Sequence, residues 1–274
     1  MKRTKIIINL MAMFCFLIMA AQEDYTYNLD GIKKVDIETG ARVKIVTGTA
    51  NELRFTKYQR DSTNSEDDGY YDYNDEQDEN DEDERSKGLK PVYSSGIDNT
   101  GFGMSIKKEG DVLKIKDLKS YMERGGMQIE LPKDMDIKLD CGSMGSAKIK
   151  GFSSEIEVKT SVGKIVLSDV TGPITAYTST GVIEVEFSTV NQSSPISIYS
   201  STGLVDVALP EDTKADIELR SSTGSVFTDF DIQPQRKDGM NVVGSSRKIS
   251  SKLNGGGVNI KLRSSTGNIY LRKK

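Results

Sequence analysis

Histidine is missing from all 274 residues. Its absence excludes Ser-His-Asp and Cys-His catalysis and removes the commonest zinc ligand. Cysteine is nearly missing too, with Cys15 and Cys141 the two present. Export would leave Cys141 alone, and one thiol builds neither a disulfide nor a thiolate metal site. No Gly-x-x-x-x-Gly-Lys-Ser/Thr loop and no Gly-x-Gly-x-x-Gly turn occurs, so nothing is shaped to cradle phosphates. No amphipathic helix of useful length is visible. The chain is therefore expected to be no enzyme and to carry no cofactor and no metal. Acid exceeds base, 41 to 37. That balance speaks against nucleic acid as a partner.

A long apolar run occurs once, at the start. Lys2, Arg3 and Lys5 precede the apolar residues 6–20, and small Ala20 and Ala21 precede Gln22-Glu23-Asp24. This is the pattern of a secretory leader over residues 1–21. The run is shorter than the roughly 20 residues a membrane span needs, and Asn9 interrupts it. Cys15 lacks the flanking residues of a lipid-anchoring site. Loss of the leader takes the net charge from −4 to −7. The product is expected in the periplasm, on the outer cell surface or secreted, with no transmembrane span.

What the chain has in abundance is one phrase. Ser-Thr-Gly between alternating apolar residues recurs at Gly181, Gly203, Gly224 and Gly267, with Ser161-Val162-Gly163 a variant. Seven before each glycine stand Ile156, Ile174, Ile196, Ile217 and Ile260, and two after stand Ile165, Ile183, Val205, Val226 and Ile269. Spacings of two on both sides of a corner mean two strands per unit, each with one buried face. The glycine is read as a corner free to take positive φ, and the preceding Ser and Thr as turn formers. The first four glycines, from Gly163, are 18, 22 and 21 residues apart. Weaker copies occupy residues 136–152 and the stretch around Thr39-Gly40, with further strands at 104–116 and 127–131. The expected fold is all-β: a single-domain parallel β-solenoid, a right-handed β-helix with coils of about 18–22 residues, over residues 22–274. Ile174, Ile196 and Ile217 should lie above one another. The N-terminal strands and residues 235–257 are expected to cap its open ends.

Residues 60–87 break the pattern with thirteen Asp or Glu and almost no aliphatics. They read as a disordered solvated insertion. Calcium capture and contact with a basic partner are the competing readings, although no EF-hand spacing is present. Beyond Gln235 the chain carries ten Lys or Arg and one Asp.

Two outward columns follow from the register. On one side Glu184 and Asp206 should be neighbours, a spacing reminiscent of a retaining glycosidase pair. With no cleft signature, a solvated charged face is preferred. On the other side, four residues before the glycines, stand Lys159, Tyr177, Tyr199, Arg220 and Arg263. Tyrosine faces stack on sugar rings and arginine forks onto carboxylate or sulfate, so these five are the candidate ligand-binding residues. A purely structural ladder is the alternative. Gly224 and Gly267 are 43 residues apart, leaving room for one more coil between Arg220 and Arg263.

Ile-Glu-Leu-Arg-Ser-Ser-Thr-Gly-Ser-Val and the closing Gly-Gly-Gly-Val-Asn-Ile-Lys-Leu-Arg-Ser-Ser-Thr-Gly-Asn-Ile-Tyr-Leu resemble the bacterial putative adhesin family of β-strand repeats. So does Leu-Asp-Gly-Ile-Lys-Lys-Val-Asp-Ile at residues 29–37. That family consists of exported domains of unknown function related to autotransporter adhesin heads. The resemblance implies a non-catalytic envelope or surface protein that binds glycan or another envelope component through the outward ladder. The alternative is an assembly protein of the envelope that docks a partner through its acidic loop or basic C-terminal end.

Overall fold

The computed structural model describes residues 24–57, 88–119, 126–232 and 247–274. The leader, the acidic insertion 60–87 and the first part of the expected cap at 235–257 lie outside them. The described residues hold twenty strands and no helix. In chain order the first ten are β1 (Tyr25–Asn28), β2 (Lys34–Glu38), β3 (Val43–Gly48), β4 (Glu52–Lys57), β5 (Met104–Glu109), β6 (Val112–Asp117), β7 (Met127–Pro132), β8 (Asp136–Asp140), β9 (Ala147–Lys150) and β10 (Ile156–Val162). Then follow β11 (Ile165–Val170), β12 (Ile174–Thr180), β13 (Ile183–Phe187), β14 (Ile196–Thr202), β15 (Val205–Leu209), β16 (Ala215–Ser221), β17 (Val226–Thr228), β18 (Arg247–Leu253), β19 (Val258–Ser264) and β20 (Ile269–Lys273).

Apolar and polar residues alternate within these strands because one face is buried and the other wet. In β12, for example, Ile174, Ala176 and Thr178 are buried while Thr175 and Tyr177 are exposed. The strands form two ten-stranded sheets. One runs β1-β4-β7-β3-β9-β11-β13-β15-β20-β17, the other β18-β16-β19-β14-β12-β10-β8-β2-β6-β5. From β8 to β17 successive strands alternate between the two. Pairing is parallel except at the ends, where β1 on β4, β4 on β7, β5 on β6 and β18 on β16 are antiparallel. Aliphatic side chains of both sheets meet in one continuous core.

The layers are not stacked in chain order. Strand β19 lies between β14 and β16, so Ile260 stands between Ile196 and Ile217. The expectation that Ile174, Ile196 and Ile217 are successive neighbours fails at that step. The same exchange occurs at the other end. Strand β2 lies between β6 and β8, and β3 between β7 and β9. Strands β6 and β7, expected inside the stack, form an outer layer. At each end, therefore, a terminal segment of the described chain is threaded one layer inward.

Turn chemistry is one basis of the repeated phrase: the Gly224 and Gly267 amides donate to Ser221 and Ser264 Oγ at 2.9 and 2.8 Å. Positive φ is found at Gly181 and Gly203 but not at Gly163, Gly224 and Gly267. A second basis is shared by all five, since each corner glycine lies against the carbonyl of the next. A Cβ at Gly163, Gly181, Gly203, Gly267 or Gly224 would lie 2.2, 2.0, 1.9, 1.9 or 2.1 Å from the carbonyl oxygen of Gly145, Gly163, Gly181, Gly203 or Gly267. The buried hydroxyl three residues earlier donates to that same oxygen. Thr160 reaches Gly145 at 2.7 Å, Ser200 reaches Gly181 at 2.9 Å, Ser264 reaches Gly203 at 2.9 Å and Ser221 reaches Gly267 at 3.0 Å. Thr178 makes the same contact with Gly163 at 3.4 Å. Column and carbonyl satisfy each other between layers, where water cannot. The column continues through buried Cys141 to Thr39, whose hydroxyl donates to buried Asp117 at 2.8 Å.

Candidate functional site

The outward column is carried by the sheet that contains β8, β10, β12, β14, β19 and β16. Its residues point to solvent because their neighbours at i±1 point into the core. Lys159 pairs with Tyr177, Tyr177 with Tyr199, Tyr199 with Arg263, and Arg263 with Arg220. The structure thus brings together all five residues, but in a new order. Arg263 stands beside Tyr199, and no layer separates Arg263 from Arg220. Lys248 on β18 extends the line beyond Arg220.

The two tyrosines form the centre. Their rings lie 5.4 Å apart at 44°, and Tyr177 is 37% exposed. Each phenol is fixed by serine. The Tyr177 hydroxyl is 3.0 Å from Ser179 Oγ. The Tyr199 hydroxyl accepts from Ser201 Oγ at 3.0 Å and lies 3.2 Å from Ser265 Oγ, just past the end of β19. The bonds from Ser201 and Ser265, with Arg263 nearby, hold the Tyr199 phenol below its ordinary pKa. These are the serines of the Ser-Thr-Gly phrase, expected from the sequence as turn formers; their bonds to the tyrosine hydroxyls were not expected. The signal was present: Ser179 and Ser201 follow Tyr177 and Tyr199 by two, and so share the outward face.

The cations differ in their surroundings. Lys159 Nζ is 2.9 Å from Asp140, which raises its pKa by hydrogen bond and charge. Lys248 is 2.8 Å from Glu218, whose pKa that contact lowers. Arg263 is exposed and Arg220 half-buried. Neither guanidinium has a hydrogen bond or an ion pair to any described residue.

The opposite sheet places Glu184 beside Asp206, as the register predicts. Both are engaged by cations. Lys164 lies 3.0 Å from Glu184, and Arg272 forks onto Asp206 at 2.8 Å. Arg272 also covers the Tyr270 ring at 5.3 Å, and Tyr270 stacks on Phe227 at 5.1 Å. This is a closed ladder of charge and ring contacts. Among the described residues no group of three or more acidic or cysteine side chains could hold a metal ion. Among the described residues no helix is long and apolar enough to cross a membrane, which leaves crossing by strands untouched.

The family described as Toastrack DUF4097 matches residues 92–272. A crystal structure of a putative cell adhesion protein from Clostridium sporogenes is similar to this chain with a TM-score of 0.45 and 14% identity, over 92% of this chain and 98% of that one. No curated protein matches.

Proposed function

The chain belongs to the Toastrack DUF4097 family, and from that premise we propose an exported, non-catalytic protein of the cell envelope or surface that binds glycan through its outward tyrosine strip. In this reading the alternating strands wind as one right-handed solenoid, kin to autotransporter adhesin heads, and the leader pattern of residues 1–21 directs export. The observation that carries the proposal is the Tyr177–Tyr199 pair. Two adjacent rings lie on an open sheet face with their hydroxyls tied down by Ser179, Ser201 and Ser265. A ring held in this way offers apolar area at little entropic cost on binding. Cations flank it on both sides.

No side chain of the strip is read as an acid, base or nucleophile; its chemistry is stacking and hydrogen bonding. Replacing Tyr177 and Tyr199 together with alanine should abolish retention on an array of acidic glycans while the circular dichroism of the fold persists. Undiminished retention by a folded double variant would remove the strip as the ligand face.

A further inference from the structure

We infer that Arg263 and Arg220 are the anion-reading end of this strip, and that its ligand is a linear glycan bearing sulfate or carboxylate groups, lying across the strands. The inference rests on the reading of the strip as a ligand face and adds the ligand's charge and direction. It begins from an imbalance. Elsewhere in this sheet a like-charged pair has opposite charge beside it. Glu38 and Asp140 are neighbours, with Lys116 on one side and Lys159 on the other, and Glu109 bridges the paired Lys107 and Lys114. In the adjoining column Lys138 meets Asp36 at 3.4 Å. At the far end Arg263, Arg220 and Lys248 are consecutive. Like charges directly opposite one another in a sheet are destabilising.

Glu218, in the adjoining column, feels the charge of Arg263, but its hydrogen bond is to Lys248 at 2.8 Å. The Tyr199 hydroxyl is taken by Ser201 and Ser265 and needs nothing from Arg263. Both guanidinium forks are therefore without a hydrogen bond or ion pair to any described residue, on a solvent-facing sheet. Such forks match the planar or tetrahedral oxygens of carboxylate and sulfate.

The threading of β19 sets the order. Because it lies between β14 and β16, the ring pair and the arginine pair are contiguous over four strands. With about 4.8 Å between strands, the four positions span about 14 Å. That length accommodates a few sugar units laid across the strands, rings on Tyr177 and Tyr199 and an anionic substituent on Arg263 and Arg220.

The test uses the full chain and four immobilised polymers: dextran sulfate, polygalacturonate, uncharged dextran and polyglutamate. Wild type should bind dextran sulfate, polygalacturonate or both, more weakly as salt rises, and should not bind dextran. Arg263→Gln with Arg220→Gln should weaken that binding about tenfold or more. Its melting temperature should be unchanged or higher, since a like-charge contact is relieved. The acidic polymer should raise the melting temperature of wild type and not of this variant. Arg263→Lys with Arg220→Lys keeps the charge without the fork and should fall between. Wild type that binds neither acidic polysaccharide overturns the inference, as does equal binding of dextran. Tyrosine-independent binding of polyglutamate overturns it too, pointing to a peptide surface. If the tyrosine variant loses binding while the glutamine variant keeps it, the glycan face stands and its charge reading falls. If neither variant changes binding, both fall.

Discussion

A methyl group at position 203 has no room. Its carbon would lie 1.9 Å from the Gly181 carbonyl oxygen and 3.1 Å from Ser200 Oγ. Gly203→Ala must therefore push two layers apart, at a cost of about 2–3 kcal/mol or more, read from the denaturant midpoint at unchanged slope. Ser200→Ala removes the donor to that same buried carbonyl and should cost about 1–3 kcal/mol. An alanine at 203 tolerated without loss would mean the layers are not held at strand spacing. Cys141 occupies the same hydroxyl column. Burial, with the Asp140 charge beside it, pushes its thiol up to about 12 from an ordinary 9.0. The sign follows directly. The unfolded thiol ionises first, so this contribution is whole below pH 9 and is lost as pH rises from there toward 12. Stability should thus fall more steeply with alkaline pH in wild type than in Cys141→Ser. The native thiol should also resist alkylation at pH 8 until the chain is unfolded.

Among the elements, the end strands carry distinct burdens. Strand β18 runs antiparallel along β16 and places Leu253, 3% exposed, at the rim of the core. Its outward side chains Lys248, Ser250 and Lys252 are polar, as suits a strand whose far edge meets no other strand among the described residues. Leu253→Ala should cost about 2–5 kcal/mol. Amide exchange should then quicken in β16 well before β12, because the outermost layer opens first. Strand β5 at the opposite end carries Lys107 on its exposed side. Lys107 and Lys114 bond Glu109 at 2.8 and 2.7 Å and hold its carboxyl at about 2. Strand β17 has no such guard. It is three residues long, and Phe227 is 49% exposed. Its brevity is the protection, since little backbone is left to pair.

For the whole molecule the threaded ends matter most. In a stack built in chain order, removing the last layer exposes the one before it and nothing more. Here β19 and β20 lie inside β16 and β17. Truncation after residue 246 takes away the layer on which residues 215–228 rest. Limited proteolysis of that truncated chain should therefore cut within 215–228, while β10 to β15 stay protected. Protection of 215–228 would mean that β16 can dock directly on β14. A related consequence is that both chain ends must be in place before the outermost layers close. Ordering is then non-local at both ends, and folding is slower than repeat length alone implies.

The sequence by itself determined the strands, the buried faces and the corner positions of the repeats, though not β4 or β18. Alternation has a period, and Ile174, Ile183, Ile196 and Val205 obey it without knowledge of their neighbours. It also determined which side chains share the outward column, Lys159, Tyr177, Tyr199, Arg220 and Arg263, because two-residue spacing from a fixed glycine sets the face. Only the tertiary structure decided the order of layers. Ile-Glu-Leu-Arg-Ser-Ser-Thr-Gly in β16 and Ile-Lys-Leu-Arg-Ser-Ser-Thr-Gly in β19 present the same inward Ile, Leu and Ser, so either would pack on β14 with the same contacts. Periodicity cannot choose between equal faces. What accompanies the choice is the antiparallel cover that β18 gives β16. That choice puts Arg263, not Arg220, beside Tyr199. The glycine's reason was likewise hidden: a carbonyl 2 Å from an absent Cβ belongs to another layer, and no local pattern records it.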